Sequence, residues 1–165
     1  MATIKDIRTG IGLDIHAFSD DRKLILGGIE IPFEKGLKGH SDANIVLHAI
    51  TDALLGSLAL GDIGIHFPNT DEKYKNAHSS VFIKKAKELV EEKGYSISNI
   101  DVAVSLERPK ISPHLEKMRT NISEILGLSV DRISIKATTS EKLGFVGREE
   151  GAFAYTVATV VKKEK

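Results

Sequence analysis

Apolar positions recur along the chain with two different periods, and these predict an alternation of strands and helices. Residues 5–16 read as a strand, and KLILGGIEI (Lys23–Ile31) reads as a strand that turns at Gly27–Gly28 into another. Ile45, Ala49, Leu54 and Leu58 fall near one helical stripe, which predicts a helix capped by Ser41 or Asp42, running to about Leu60 and ended by Gly61. The stretch Gly61–Ser80 has Gly, Pro and Asn-Thr-Asp punctuation without a period and reads as a long loop, a kind more often functional than decorative. A second helix follows from Ser79 or Ser80 to Lys93, stopped by Gly94, and then a strand at Ile100–Leu106. Pro109 and Pro113 bracket a connection into a third helix over about Pro113–Leu126, stopped by Gly127. Strands at Arg132–Thr138 and Ala152–Val161 flank the Gly-rich turn KLGFVGREEG, and the closing Lys-Lys-Glu-Lys reads as a solvated tail.

This order predicts an α+β fold, a mixed four-stranded sheet plus a short hairpin with the helices on one face. The last strand, GAFAYTVATVV, is apolar on both faces. Three helices cover one side of such a sheet, so the other side calls for a cover that self-association would supply.

At 165 residues the chain is expected to form one domain, residues 1–165, with a real core. Twenty-three basic residues balance 23 acidic ones, so no net charge draws it to nucleic acid or to an anionic membrane. The absence of cysteine excludes disulfides, thiolate ligands and a Cys nucleophile, and any metal must be held by His and carboxylates. The N-terminal residues have no apolar secretory core, and Asp52 and Asp62 interrupt the longest apolar stretch, so a cytoplasmic protein is expected.

The candidate chemistry begins in GLDIHAF (Gly12–Phe18), where Asp14 and His16 are two apart on a strand and share a face. In HSDANIVLHAITDAL (His40–Leu54), His48 and Asp52 are four apart and share a helix face. A strand pair plus one helix His makes an Asp-His-His set, and three protein ligands with an open fourth position is the arrangement of a catalytic zinc site. Asp52 is then either a group that orients a ligand His or a plain surface acid.

GLDIHAF, KGLKGHSDANIVLHAITDALLGSLALGDIGIHFPNTD and KATTSEKLGFVGREEG together resemble the 2-C-methyl-D-erythritol 2,4-cyclodiphosphate synthase family, in the same order and with compatible spacing from about Gly12 to the last strand. The resemblance implies a phosphorus–oxygen lyase of the non-mevalonate isoprenoid pathway. It implies a homotrimer whose sheets pack around a threefold axis, with active sites between neighbouring subunits, each with one zinc and a second divalent ion, magnesium or manganese. By motif position Asp14, His16 and His48 match zinc ligands, and Glu141 matches the ligand of the second ion. His40 and Ser41 match phosphate contacts, which suits the free amides and dipole at a helix start. His40 and Thr139 match the residues closest to the transferring phosphoryl. Asp62, Ile63, Gly64, Phe67, Pro68, Asn69, Thr70 and Asp71 match the stretch around the methylerythritol part, with Ile15 beside the zinc ligands. Leu106, Glu107, Arg108, Pro109, Lys110, Ile111 and Ser112, with Ala137, Thr138, Thr139 and Ser140, match the cytidine pocket of the adjoining subunit, and Phe145 and Arg148 lie close by. Arg148 and Glu150 match one end of an axial cavity, where either an isoprenoid diphosphate binds or Arg148 and Glu150 form a salt-bridged ring without a ligand.

The implied substrate is 4-diphosphocytidyl-2-C-methyl-D-erythritol 2-phosphate, whose 2-phosphate attacks the β-phosphorus and expels CMP. Such a reaction needs two repelling phosphates positioned and their charge shielded, and it needs no Cys or Ser nucleophile. The sequence departs from the family pattern at Asn69, Asn44, Ser140 and Leu13, none of them a proposed metal ligand. Two other readings remain open: a metal-dependent phosphohydrolase with the same triad, and a non-catalytic trimeric binding module.

Overall fold

Period-two alternation along β1 (Ile7–Ser19) divides its side chains between two environments: Gly10, Gly12, Asp14 and His16 face the helices, and Ile7, Ile11, Leu13 and Ile15 face away. In the computed structural model, which describes residues 6–68, 70–74 and 77–164, the hairpin of β2 (Leu24–Leu26) and β3 (Ile29–Ile31) follows, turning at Gly27 and Gly28, both with positive φ. A two-residue strand β4 (Gly36–Leu37) leads to α1 (Ile45–Ser57). The remaining elements are α2 (Ile63–His66), α3 (Ser80–Glu92), β5 (Tyr95–Ser105), α4 (Leu115–Leu126), β6 (Ile133–Thr138), α5 (Gly144–Gly147) and β7 (Gly151–Lys162). The sheet order is β4-β1-β7-β5-β6, antiparallel except for the parallel β5–β6 pair. Among the described residues no helix is long and apolar enough to cross a membrane.

The mixed α+β architecture agrees with the sequence pattern, and the differences have physical reasons. The sheet has five strands instead of four, because β4 pairs Leu37 with Phe18 and Gly36 with Ser19 over a span too short to carry a period. Helix α1 is capped by Asn44, whose side-chain oxygen accepts the Leu47 amide, and not by Ser41 or Asp42. It ends at Ser57 with Leu58 as its cap, three residues before Gly61. The expected loop Gly61–Ser80 contains α2 and a 3-10 turn at Glu72–Tyr74, each too short to show periodicity. Strand β5 begins at Tyr95, five residues before Ile100, and the Gly-rich turn winds into α5. Lys162 belongs to β7 and its amide donates to the Asp6 carbonyl, so the end of the chain is tied to the sheet at that point.

Helix α1 lies directly on β1 because the strand is glycine where they cross. A Cβ on Gly12 would sit 1.9 Å from the Ala49 carbonyl oxygen, and one on Gly10 would sit 2.1 Å from that of Ala53. This close approach brings His48 over Asp14. The core is built from α1, the inner face of β5 to β7, and the apolar stripes of α3 and α4. Each fully buried Leu or Ile in it contributes about 1.5–3 kcal/mol. On the opposite face Ile7, Ile11, Leu13 and Ile15 are 61%, 62%, 51% and 52% exposed, beside Tyr155 and Val157 of β7, so none of the described residues covers that side.

Candidate metal centre and nucleotide pocket

Asp14 and His16 stand side by side on the helix face of β1, and α1 delivers His48 above them. The Asp14 carboxylate oxygen Oδ2 lies 3.1 Å from His16 Nε2 and 3.0 Å from His48 Nδ1. One ligand atom from each of the three residues lies within 4.8 Å of the others, the one such cluster among the described residues. Burial pushes the Asp14 carboxyl up, but the hydrogen bonds from His16 and His48 outweigh it and hold it at about 2. The Asp14 carboxylate in turn raises His16 above its ordinary value.

The donor set fits a divalent cation. His16 Nδ1 is 2.5 Å from the Lys38 carbonyl oxygen, which can only accept, so Nδ1 carries a proton and Nε2 is the nitrogen left facing Asp14. Two imidazole nitrogens turned on one carboxylate call for positive charge at that point, a proton or a cation, and an imidazole anchored through its other nitrogen to a carbonyl is how metal-ligating histidines are held. Gly39 makes room for this ring, since a Cβ there would meet His16 Cε1 at 3.0 Å.

A cleft of about 180 Å³ opens over the triad, lined also by His40, Ser41, Ile63, Gly64, Phe67, Tyr74 and Phe82. His40 lines the cleft, and its Nε2 is buried without a protein hydrogen-bond partner. Ser41 Oγ lies 3.1 Å from His48 Nε2 and accepts the Ala43 amide. Phe67, Tyr74 and Phe82 pack edge-on and tilted with ring centroids 4.8–5.7 Å apart, forming a wall that holds the segment after α2 against α3. Tyr74 and Phe82 were not among the residues the sequence singled out; two aromatics near the end of a polar loop were the available signal.

Other predicted residues lie elsewhere. The Ile15 side chain is on the uncovered face of the sheet and not in the cleft. The Asp52 carboxylate accepts the Ile63 amide at 2.7 Å and so fixes the start of α2 instead of orienting His48; burial raises its pKa. Asp62 caps α2 by accepting the Ile65 amide. Asp71 pairs with Lys73, 2.7 Å away, and Pro68 and Thr70 belong to the same turn outside the cleft lining. Asn69 lies outside the described residues.

A second cavity of about 380 Å³ is lined by Leu106, Glu107, Pro109, Lys110, Ile111, Ser112, Ala137, Thr138 and Thr139, nine of the residues assigned to a cytidine pocket. It shares no residue with the triad cleft. Arg108 points away from it, to Glu34 at 3.0 Å and Glu149 at 2.9 Å, over the Phe33 ring. The Glu107 carboxylate is 3% exposed and accepts the amides of Ser140 and Lys142, so it holds the following loop and is not free for a base. That loop places Glu141 Oε1 3.2 Å from Thr139 Oγ1, in the neighbourhood of this cavity and outside the triad. Phe145 packs on Phe153, and Arg148 makes two parallel hydrogen bonds to Glu150 at 2.9 and 3.0 Å. The Arg148 guanidinium thus has a carboxylate partner within its own chain.

Residues 7–161 match the model of the YgbB family. The chain is 57% identical over 156 residues to the 2-C-methyl-D-erythritol 2,4-cyclodiphosphate synthase of Chloroherpeton thalassium, covering 94% of this chain and 99% of that one. It is 53% identical over 156 residues to the synthase of Bacillus cytotoxicus, with the same coverage of 94% and 99%. Among solved structures, IspF of Plasmodium falciparum in complex with CDP superposes with a TM-score of 0.85 at 33% identity, covering 98% of this chain and 100% of that one. The bifunctional IspDF of Campylobacter jejuni gives a TM-score of 0.94 at 42% identity, covering 98% of this chain, which spans only 44% of that longer protein. With a matched family model over nearly the whole length and relatives of this similarity, the chain belongs to the YgbB family, the 2-C-methyl-D-erythritol 2,4-cyclodiphosphate synthases.

Proposed function

We propose that Asp14, His16 and His48 hold a zinc ion and that the chain closes 4-diphosphocytidyl-2-C-methyl-D-erythritol 2-phosphate into the 2,4-cyclodiphosphate with release of CMP. The observation that carries this is the convergence of the three ligand atoms at the floor of a cleft that also holds the unpaired His40 nitrogen. An oxygen of the 2-phosphate forms a bond to the β-phosphorus while the bond from that phosphorus to the CMP oxygen breaks, and the electron pair leaves with CMP. The nucleophile is already anionic, so the chain has no proton to remove from it. His40 and Ser41, just before α1, contact the phosphates. Ile63 and Gly64 hold the methylerythritol part, on a turn that Asp52 and Asp62 fix through their hydrogen bonds to the Ile63 and Ile65 amides. Thr139 contacts the transferring phosphoryl, and Glu141 holds a second divalent ion, magnesium or manganese. Together the two ions supply Lewis-acid shielding of the phosphate charge.

In this reading the active site is shared between the subunits of a homotrimer in the cytoplasm. The uncovered apolar face of β1 and β7 supports self-association, because a patch of this kind is costly to leave in water. The separation of the triad cleft from the Leu106–Thr139 cavity supports a division of labour in which one subunit brings the metal and its neighbour the cytidine pocket.

The test is turnover of the cytidyl substrate by the purified protein with zinc and magnesium in water enriched in oxygen-18, read by phosphorus NMR and mass spectrometry. The expected result is a cyclic diphosphate and CMP without label. Linear phosphates carrying solvent oxygen would identify a hydrolase instead.

A further inference from the structure

His48 is the one member of the triad whose second ring nitrogen has no backbone carbonyl to hold it. Its Nε2 lies 2.8 Å from Ser79 Oγ and 3.1 Å from Ser41 Oγ, and hydroxyls of this kind can either donate or accept. The proton's direction is settled one step further out. Ser79 Oγ donates to the Asp42 carboxylate oxygen Oδ1, and Asp42 Oδ2 accepts the Ser79 amide at 3.0 Å. A carboxylate only accepts, so the single hydroxyl proton of Ser79 goes to Asp42, and the Ser79 oxygen must accept from His48. Nε2 therefore carries a ring proton, which leaves Nδ1, 3.0 Å from Asp14, as the nitrogen available to ligate. Asp42 is also fixed: its amide donates to the Ala77 carbonyl, and its Oδ1 accepts the Asn44 amide. Ser79 is fully buried and His48 nearly so.

We infer that Asp42 and Ser79 are positioning residues for the metal: the chain His48 Nε2–H to Ser79 Oγ–H to Asp42 sets the His48 tautomer that leaves Nδ1 free to ligate. This rests on the zinc reading of the triad, and it adds residues outside the ligand set. Ser79 stands just before α3, so the start of that helix is docked on Asp42 beside His48.

The experiment uses the full-length protein. Histidine tautomers are read by nitrogen-15 NMR in the zinc-free protein, and zinc affinity is read by competition with a chromophoric chelator. In the wild type, His48 Nε2 is expected to be protonated. Ser79→Ala leaves Nε2 facing only Ser41, whose hydroxyl is free to donate, so a mixture of tautomers and a loss of zinc affinity of about 10-fold or more are expected. Asp42→Asn presents an amide that can donate to Ser79, which reverses the relay and is expected to weaken zinc binding similarly. Ser79→Thr keeps the hydroxyl and is expected to restore wild-type tautomer and affinity. An unprotonated Nε2 in the wild type, or unchanged zinc affinity in folded Ser79→Ala, would overturn the relay. A wild type with protonated Nε2 that takes up no zinc would instead overturn the zinc reading and leave the relay standing.

Discussion

The carboxylate of Glu107 gathers three donors, the Ser140 and Lys142 amides and the Lys142 ammonium, each at 3.1 Å, with the Ser140 hydroxyl shared between it at 3.1 Å and the Leu143 carbonyl at 2.7 Å. It thereby holds a turn in which Glu141 and Lys142 both adopt left-handed backbone, φ 53° and 64°, which non-glycine residues resist. The Lys142 amide and ammonium, with Ser140, hold the Glu107 carboxyl at about 2 against an ordinary value of 4.5. A carboxyl depressed in the fold stabilises it above its ordinary value, and that contribution fades as pH falls from 4.5 toward 2. Glu107→Gln is therefore expected to lower Tm at neutral pH, with the gap to wild type narrowing across that acidic window. A gap independent of pH would show that the charge of Glu107 does not hold the turn. By family resemblance Glu107 belongs to a cytidine pocket, and it lines the second cavity, but nothing local reveals that its carboxylate turns to a loop 33 residues away. Asp14 and His16 were legible because the strand period alone puts them on one face. The Asp42–Ser79 contact, across 37 residues, was not.

At the scale of elements, the fit of α1 on β1 decides where His48 sits. Gly12→Ala forces a methyl group onto the backbone of Ala49, an obstacle that no side-chain rotation relieves. The expected cost is about 2 kcal/mol or more, a Tm lower by about 5 °C, with weakened zinc uptake because the helix must move off the strand. A Tm within 1 °C of wild type, on the order of a surface substitution, would mean the two elements do not meet as described. The long helices and strands were legible from their periods and from Gly94 and Gly127 at their ends. Elements of two to four residues were not: β4 exists only because Leu37 finds Phe18, and α2 because Asp52 and Asp62 receive its first amides. The start of β5, SISN, alternates too weakly to announce a strand and is fixed by its pairing with β7.

For the whole molecule, the proposed assembly gives the bare face of the sheet and the two separate cavities one joint explanation: it would bury Ile11, Leu13, Ile15 and Tyr155 and bring the triad of one copy to the Leu106–Thr139 cavity of the next. The apolar face was legible in the final strand, which has no polar side to give to solvent. Which cavity meets which was not, since a lone chain's pattern says nothing about its neighbour. The most direct measurement mixes two inactive variants and follows cyclodiphosphate formation. His48→Ala removes a metal ligand, and Ala137→Trp fills the second cavity. After subunit exchange at equal amounts, an interface has an intact triad facing an intact cavity about one time in four, so about a quarter of the wild-type rate per site is expected. Verified exchange with no recovered activity would contradict the account and give each chain a complete site of its own.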